Sequence, residues 1–218
     1  MSHIAGSRPY SRAEYISDAI VHASGIGAAL IGGPLLIALA VLWTGEAGVV
    51  TAVSVYVVTG LAMWSASAAY NLFQVPAWVD RLRRMDQSAI YLKIAGTYTP
   101  FAALAAGQAG FLAGIWAVAG IGAALILFTT RLKWLAIPLY LGLGWAGALW
   151  GGPLVSGLGP LAFWLLVVGG VTYSSGIAFL LWERLPFHNT IWHVFVFLGS
   201  LACYAAIAAE LWRGSVPI

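Results

Sequence analysis

The sequence predicts an all-α integral membrane protein built as a bundle of seven transmembrane helices. Of its 218 residues 61% are hydrophobic and 8% are charged, with a mean hydropathy of +0.91. A soluble domain has about 25% charged residues. Apolar stretches recur along the chain, each near the roughly 20 residues that a helix needs to cross a bilayer core. The positive charges fall in alternate gaps between these stretches, as in multi-pass membrane proteins.

Composition also excludes several classes of function. The net charge of +3 is small, and nothing in the pattern indicates nucleic-acid binding. The one cysteine, Cys203, lies in an apolar stretch, so a disulfide partner and a cysteine metal site are both excluded. Membrane lipids are the expected partners.

We divide the chain into a polar N-terminal segment (1–17), a transmembrane domain (18–212) and a short C-terminal tail (213–218). The first apolar stretch is too long for a cleavable signal peptide and is followed by no small-residue cleavage pattern. The seven predicted helices are 18–43, 49–73, 87–106, 111–130, 134–150, 161–182 and 190–211.

The distribution of lysine and arginine predicts the orientation in the membrane. The loops on the side of the N-terminus contain Arg8, Arg12, Arg81, Arg83, Arg84, Arg131, Lys133 and Arg184. The opposite loops contain none, and the tail contains Arg213. The N-terminus is therefore expected in the cytoplasm and the C-terminus outside, in a multi-pass inner-membrane protein.

The stretch 81–101 is the main functional candidate. We expect three arginines on a short loop, then Asp86 and Gln87 at the start of the third helix, and Lys93 inside it. Ionisable residues at membrane depth are costly and indicate a functional site. Seven residues separate Asp86 from Lys93, so both should point to the same face, with Lys93 about 10 Å deeper.

Polar side chains from four predicted helices should lie at a similar depth on the cytoplasmic side. They are His22, Ser67, Asn71, Asp86, Gln87, His188, Asn189 and His193. Polar groups at membrane depth face the bundle interior, so we expect a cavity that opens toward the cytoplasm, lined also by Lys93 and Thr97. Glu14, Asp18 and His22 share one helical face because they are four residues apart.

Several motifs carry a family resemblance over nearly the whole chain: EYISDAIVH, SASAAYN, MDQSAIYLKIAGTYTPF, LYLGLGW, GGVTYSSGIAF and IWHVFVFLGS. With these motifs the sequence resembles the hemolysin III branch of the progestin and adipoQ receptor family. The resemblance implies seven helices, a cytoplasmic N-terminus, and a zinc site with one histidine on helix 2 and two on helix 7. It also implies an aspartate at the start of helix 3 that holds a zinc-bound water, and hydrolysis of a lipid amide.

The sequence departs from that zinc pattern at two positions. The helix 2 pattern reads Ser67-Ala-Ala-Tyr-Asn71, and the helix 7 pattern reads Asn189-Thr-Ile-Trp-His193. Asp86 and His193 match the pattern, whereas Asn71 and Asn189 replace two histidines, and an amide oxygen is a poor zinc ligand beside imidazole.

Two arrangements then remain open. In one, His22 and His188 supply imidazoles, so that His193, His188, His22 and Asp86 hold a zinc ion. In the other, the ammonium of Lys93 replaces the cation and pairs with Asp86 or with the asparagine amides. If a metal is present, we expect His193 as its first ligand, Asp86 as the base and Ser67 as an oxyanion donor. Beside these two arrangements, a structural polar cluster without chemistry is a separate interpretation.

Three classes of function remain, the last of them suggested by the name of the family. The first is a ceramidase-like hydrolase of lipid amides or esters, with Asp86 and Ser67 as catalytic residues. The second is a non-catalytic lipid-binding protein or sensor of the membrane state. The third is a cytolytic pore, which is the weakest because the predicted helices lack a continuous polar stripe.

Overall fold

The computed structural model describes residues 10–73, 75–105, 107–128 and 136–215. In these ranges the regular structure is helical throughout. The helices are α1 (Arg12–Trp43), α2 (Ala47–Leu72), α3 (Val79–Leu104), α4 (Ala109–Phe128), α5 (Ala136–Trp150), α6 (Gly152–Gly157), α7 (Pro160–Leu181) and α8 (His188–Ser215). The prediction of an all-α protein is confirmed. Arg8, Arg131 and Lys133, used above for the orientation, lie outside the described residues.

Five of these helices are long and apolar enough to cross a membrane: α1, α2, α4, α7 and α8. Large apolar side chains project from them into the surroundings, such as Ile31 at 76%, Leu42 at 77% and Phe128 at 80% exposure. So much exposed apolar surface belongs in lipid rather than water. The chain is thus a multi-pass membrane protein, whereas the count of seven spans and the orientation stay predictions.

The structure corrects the predicted start of the third helix. The arginines expected on a loop lie inside α3, which begins at Val79, so Asp86 lies about two turns into the helix instead of at its start. Asp80 in the first turn interacts favourably with the helix dipole and accepts a 2.6 Å bond from Arg83. Arginine and leucine favour helix, so the arginine-rich segment extends the helix out of the apolar region.

The connection between the predicted fifth and sixth helices is also more ordered than a turn. Residues Gly152–Gly157 form the short helix α6, with Pro153 in its first turn, where proline is well tolerated. Leu154 on α6 is 3% exposed and packs into a buried cluster with Phe101 and Ile207. The short helix therefore closes one end of the bundle.

The close packing of α1 on α2 is set by a glycine. A side chain at Gly25 would begin 2.5 Å from the indole ring of Trp64, so only glycine admits this approach. Trp64 lies with Met63, Ala89 and Val196 in a buried cluster that joins α2, α3 and α8. The polar residues of the candidate site are positioned on these packed helices.

The two ends of the bundle differ in their polar contacts. At the basic end, which carries Arg81 and Arg83, the Tyr15 hydroxyl of α1 donates to the Leu72 carbonyl of α2 at 3.2 Å. At the opposite end, the buried Glu210 carboxylate accepts from the Gly159 backbone N–H at 2.7 Å and from Arg213 at 2.7 Å. That second set of contacts joins the end of α8 to the start of α7.

Candidate functional site

The basic end contains a buried hydrogen-bond network around Asp18, a residue that is 1% exposed. Its carboxylate accepts hydrogen bonds from the Thr190 hydroxyl, the Tyr10 hydroxyl and, at 2.8 Å, the Asn189 amide. Burial and the bonded Asp18 carboxylate raise the pKa of Tyr10 above its ordinary value of 10.0, so its hydroxyl remains a donor at neutral pH. The network ties the N-terminal segment and α1 to the start of α8.

Glu14 strengthens the same junction between α1 and α8. It forms a capping box with Ser11 at the start of α1, and its carboxylate accepts the Phe187 backbone N–H at 2.9 Å. Phe187 has a φ of 59°, in the left-handed region that bulky residues rarely adopt. The strained residue directly precedes α8, so Glu14 helps to fix the direction in which α8 begins.

Two histidines converge on the hydroxyl of Ser67, one from each side of the junction. Nε2 of His22 on α1 lies 3.2 Å from Ser67 Oγ, and Nε2 of His193 on α8 lies 3.1 Å from it. Their imidazole rings are 4.3 Å apart between centroids. Trp64 contacts His22 edge-on, with 6.0 Å between the ring centroids, and helps to hold that ring in place.

The backbone fixes the tautomer of both histidines. Nδ1 of His22 lies 2.7 Å from the Asp18 carbonyl, and Nδ1 of His193 lies 2.9 Å from the Asn189 carbonyl. A carbonyl accepts only, so each Nδ1 carries the proton. In a neutral imidazole Nε2 is then an acceptor, and two acceptors point at one hydroxyl that has a single proton to donate.

The two asparagines that replace histidines of the zinc pattern, Asn71 and Asn189, form hydrogen bonds within this network. The Asn189 amide donates to Asn71 Oδ1 at 2.9 Å as well as to Asp18. The Asn71 amide donates to the Ser67 carbonyl at 2.9 Å and approaches Ser67 Oγ at 3.4 Å. Both side chains therefore hold the helices and the serine together.

A cavity of about 240 Å³ begins at this polar cluster and extends along the bundle toward α6. Ser67, Asp86 and His193 line its polar end, and Asp86 lies beside the Ser67 hydroxyl. Most of the remaining wall is apolar and aromatic, from α3, α5, α6 and α7. Its members include Ile94, Phe101, Leu141, Trp145, Leu158, Phe163 and Leu166.

Lys93 does not occupy the position that the cation hypothesis gave it. Its Nζ lies over the Tyr56 ring, 3.6 Å from the ring centroid, and neither Asp86 nor the asparagines bond to it in the described structure. The idea that its ammonium fills the metal position among them is therefore wrong. Lys93 is 5% exposed and lines two cavities, the large one and a smaller one between α1, α2 and α8.

The residues present do not fit the zinc site that the resemblance implies. The amide groups at two of its three ligand positions bond to each other and to Asp18 and Ser67. Across the described ranges no three His, Cys, Asp or Glu side chains are grouped closely enough to hold one metal ion. His22 and His193 supply two imidazole nitrogens, and both are directed at a serine hydroxyl.

Three other residues were predicted for the site or its cavity: Thr97, Gln87 and His188. Thr97 lines the cavity and donates to the Lys93 carbonyl at 2.9 Å. Gln87 was predicted to line the cavity but is not among its lining residues; it is half-buried, and its backbone carbonyl accepts the Tyr140 hydroxyl at 3.0 Å. His188 is the first residue of α8, and its buried Nδ1 has no hydrogen-bond partner among the described residues.

Sequence reasoning missed three members of the network: Asp18 as its centre, Tyr10 and Thr190. The spacing of Glu14, Asp18 and His22 along one face of α1 was a usable signal for Asp18. Tyr10 and Thr190 gave no such signal, because a tyrosine before a helix and a threonine at a helix start are common, and their contacts with Asp18 depend on the packing of α1 against α8.

The fold and the cluster together define a multi-pass helical membrane protein with a polar site at one end of an apolar cavity. The family model described as "Haemolysin-III related" matches residues 12–204. The chain belongs to this family, which is part of the progestin and adipoQ receptor family, as the motifs predicted.

Curated relatives agree with this assignment. A hemolysin-3 homolog of Bacillus subtilis (strain 168) is 34% identical over 200 residues, which cover 89% of this chain and 92% of the relative. Hemolysin-3 of Bacillus cereus is 38% identical over 201 residues, which cover 89% of this chain and 90% of the relative. A location in a bacterial inner membrane is consistent with these matches and with the five membrane-spanning candidates.

Proposed function

We propose that this protein binds the acyl chain of a membrane lipid in its large cavity and hydrolyses the amide or ester bond of that lipid at the polar end. The observation that carries the proposal is the shared wall: Ser67, Asp86 and His193 line the same cavity as the apolar side chains. An acyl chain in the apolar part would bring its carbonyl group toward the hydroxyl, imidazole and carboxylate.

The shape and lining of the cavity suit a chain of methylene groups. Ligand sites in proteins are concave and mostly apolar, with a few placed polar groups that fix orientation. Here polar groups lie at one end, and Phe101, Leu158 and Phe163 lie toward the other. Burying apolar surface stabilises a complex by about 25 cal/mol per Å², which favours a long chain over a short one.

Access from the bilayer is supported by the packing of α5. This helix makes few contacts with α7, and the cavity lies between the two. One side-chain hydrogen bond spans the gap, from the Trp145 indole to the Ser174 hydroxyl at 3.1 Å. A lipid entering here would come directly from the membrane, and if the orientation predicted from charge holds, the polar group would react near the cytoplasmic face.

The proposal is tested by fatty-acid release from lipids in reconstituted vesicles. Purified protein is incubated with vesicles that contain an N-acyl lipid and, separately, a lipid ester, each with a labelled acyl chain. We expect release by the wild type and a loss of about 100-fold or more in His193→Ala, because general acid–base groups contribute 10²–10⁴-fold.

His188→Ala is the matched control for that test. It removes an imidazole from the same helix that has no hydrogen bond in the described structure, so release within about twofold of the wild type is expected. Equal release by His193→Ala and the wild type would contradict a hydrolytic site at this cluster.

Binding of an anionic lipid without catalysis is a second candidate, and Lys93 favours it. Its Nζ borders the cavity, and its recorded partner is an aromatic ring rather than a carboxylate. A cation in low dielectric is stabilised by a ring by about 2 kcal/mol, less than the cost of burying it. A carboxylate or phosphate headgroup in the cavity would supply the missing counter-charge.

The name of the Bacillus cereus relative suggests cytolysis as a further possibility. A pore requires polar groups along its whole length. Here the cavity wall is mostly apolar, and its polar side chains outside the end formed by Ser67, Asp86 and His193, such as Lys93 and Thr97, are few. Solute flux through protein-containing vesicles separates a pore from the two lipid functions.

A further inference from the structure

The hydrolytic site proposed above contains a serine with an imidazole positioned as its base. We propose that Ser67 is the nucleophile and His193 the general base of a metal-independent acyl transfer, and this inference rests on the proposed hydrolase function. The pair replaces the zinc chemistry that the resemblance implies and that the residues do not fit.

The geometry of Ser67 and His193 meets the requirements for an activated nucleophile. Such a nucleophile needs a base within about 2.6–3.2 Å, and the base needs a third group that orients it. Ser67 Oγ lies 3.1 Å from His193 Nε2, and the Asn189 carbonyl holds Nδ1–H at 2.9 Å. That carbonyl has the orienting role that an acidic side chain has in a serine–histidine–aspartate triad.

The cavity distinguishes His193 from His22 as the base. His193 and Ser67 line the cavity, whereas His22 does not. A base must reach both the nucleophile and the leaving group, which lie on the side of the substrate. His22 is therefore a positioning residue, whose ring packs beside that of His193 with 4.3 Å between the ring centroids.

The reaction consists of two balanced transfers. The Ser67 proton moves to His193 Nε2 while Oγ forms a bond to the carbonyl carbon of the lipid. The bond from that carbon to nitrogen or oxygen then breaks, and the leaving group takes the proton from His193. Water, the second reactant, attacks acyl-Ser67 and gives a proton to His193, the fatty acid leaves, and the proton returns to Oγ.

Other groups in the cluster support these steps. The Asn71 amide donates to Ser67 Oγ at 3.4 Å. It can stabilise the negative charge that develops on this oxygen when Ser67 gives up its proton. Asp86 lines the cavity beside Ser67, where its carboxylate can accept a hydrogen bond from the attacking water. The rest of the cavity wall is mostly apolar, with Lys93 and Thr97 as exceptions, which limits the access of bulk water to the acyl enzyme.

A serine-directed fluorophosphonate probe tests the inference on the full-length protein in detergent micelles. We expect covalent labelling of the wild type, located at Ser67 by mass spectrometry, and none in Ser67→Ala. Ser88→Ala is the matched control, because Ser88 is a buried serine that bonds to the Ala123 carbonyl away from the cavity and should leave labelling unchanged. His193→Ala should slow labelling by roughly 10³-fold, and His22→Ala by less.

Hydrolysis of a long-chain p-nitrophenyl ester with and without a metal chelator separates the two mechanisms. Unchanged hydrolysis in chelator, together with a roughly 10³-fold loss in Ser67→Ala, supports the inference. Activity that is lost in chelator, restored by zinc and retained in Ser67→Ala would overturn the serine mechanism but leave the hydrolase function standing. Absence of both labelling and hydrolysis in folded protein would overturn both.

Ser67→Cys keeps the test informative if Ser67→Ala does not fold. Because the native Cys203 also lines the cavity, Ser67→Cys is made in a Cys203→Ala background. A thiol at position 67 should retain partial ester hydrolysis and become sensitive to a lipophilic thiol reagent, whereas Cys203→Ala alone should not. Ester hydrolysis by Ser67→Cys that is indifferent to the reagent would contradict a nucleophilic role.

Discussion

Two polar regions lie within this bundle, and they differ in the partners of their polar groups. In the Asp18–Ser67 cluster, groups from α1, α2 and α8 bond to one another, and Asp18 alone accepts from three donors. Lys93, further along the bundle, contacts the ring of Tyr56. A densely hydrogen-bonded buried network is rigid, which suits positioned chemistry. A charge with one aromatic partner suits a ligand that brings the counter-charge.

The largest expected effect comes from breaking the first region with Asp18→Ala. This change leaves the Thr190, Asn189 and Tyr10 donors unpaired in a buried site, and each such group costs about 1–3 kcal/mol. We expect unfolding to become easier by about 3 kcal/mol or more, measured by SDS titration of the helical circular dichroism signal.

Asp80→Ala is the control for that change. Asp80 forms an exposed ion pair with Arg83, in which its own side chain is 70% exposed, and such pairs contribute about 0–1 kcal/mol. If both aspartate variants lose the same stability, the network around Asp18 is not what holds α1 to α8.

Lys93→Met tests the second region and should act in the opposite direction. Replacing a buried charge by an apolar side chain of similar length removes its desolvation cost. We expect a stabilisation of about 2 kcal/mol in the same titration, together with at least a tenfold weaker binding of a fluorescent fatty acid. Arg213→Met, which removes a cation outside the cavity, should leave fatty-acid binding unchanged.

The interaction energy between Lys93 and Tyr56, measured by a double-mutant cycle, tests whether the ring is the partner of the lysine charge. The stability lost in Tyr56→Leu should be about 2 kcal/mol larger with lysine at position 93 than with methionine, because a desolvated cation–π contact contributes about that much. A coupling near zero in this double-mutant cycle would mean that the ring only packs against the lysine stem.

The smallest expected effect is that of Tyr10→Phe. One hydrogen bond to Asp18 is lost, for a cost of about 1 kcal/mol. The pKa of Tyr10 is raised in the folded protein, so the contribution of its protonated hydroxyl is present below pH 10 and is lost as pH rises through the folded value. The difference between the two proteins should therefore be constant from pH 6 to pH 9, and a difference that changes within this range would contradict the assignment.

Much of the fold followed from the sequence because the apolar stretches and the motifs are long. The seven predicted stretches correspond to α1–α5, α7 and α8, and the predicted family is confirmed. Two segments were misplaced: 152–157, which was taken as part of a turn, and 81–86, where charge was taken as a sign of a loop. Arginine favours helix as readily as leucine does, so charge marks the edge of a membrane segment but not the end of a helix.

Most residues of the candidate site were named from the sequence, but the hydrogen bonds between them were not predicted. Ser67, Asp86 and His193 share a cavity wall. The contact of His22 with Ser67 depends on the packing of α1 against α2, and the bond of Asp18 with Asn189 joins α1 to α8 across 171 residues of sequence. Lys93 shows the same limit. Its spacing from Asp86 placed both on one helix face, but the ammonium extends toward α2, because a long flexible side chain is directed by its surroundings.

The sequence by itself determined the membrane class, the helical architecture and the family, because these depend on hydropathy and on local motifs that each helix carries alone. The tertiary structure decided which polar groups meet. Helix packing brings two imidazoles to one serine and leaves a lysine against a ring, and the side-chain distances on which chemistry depends exist only once the helices are packed.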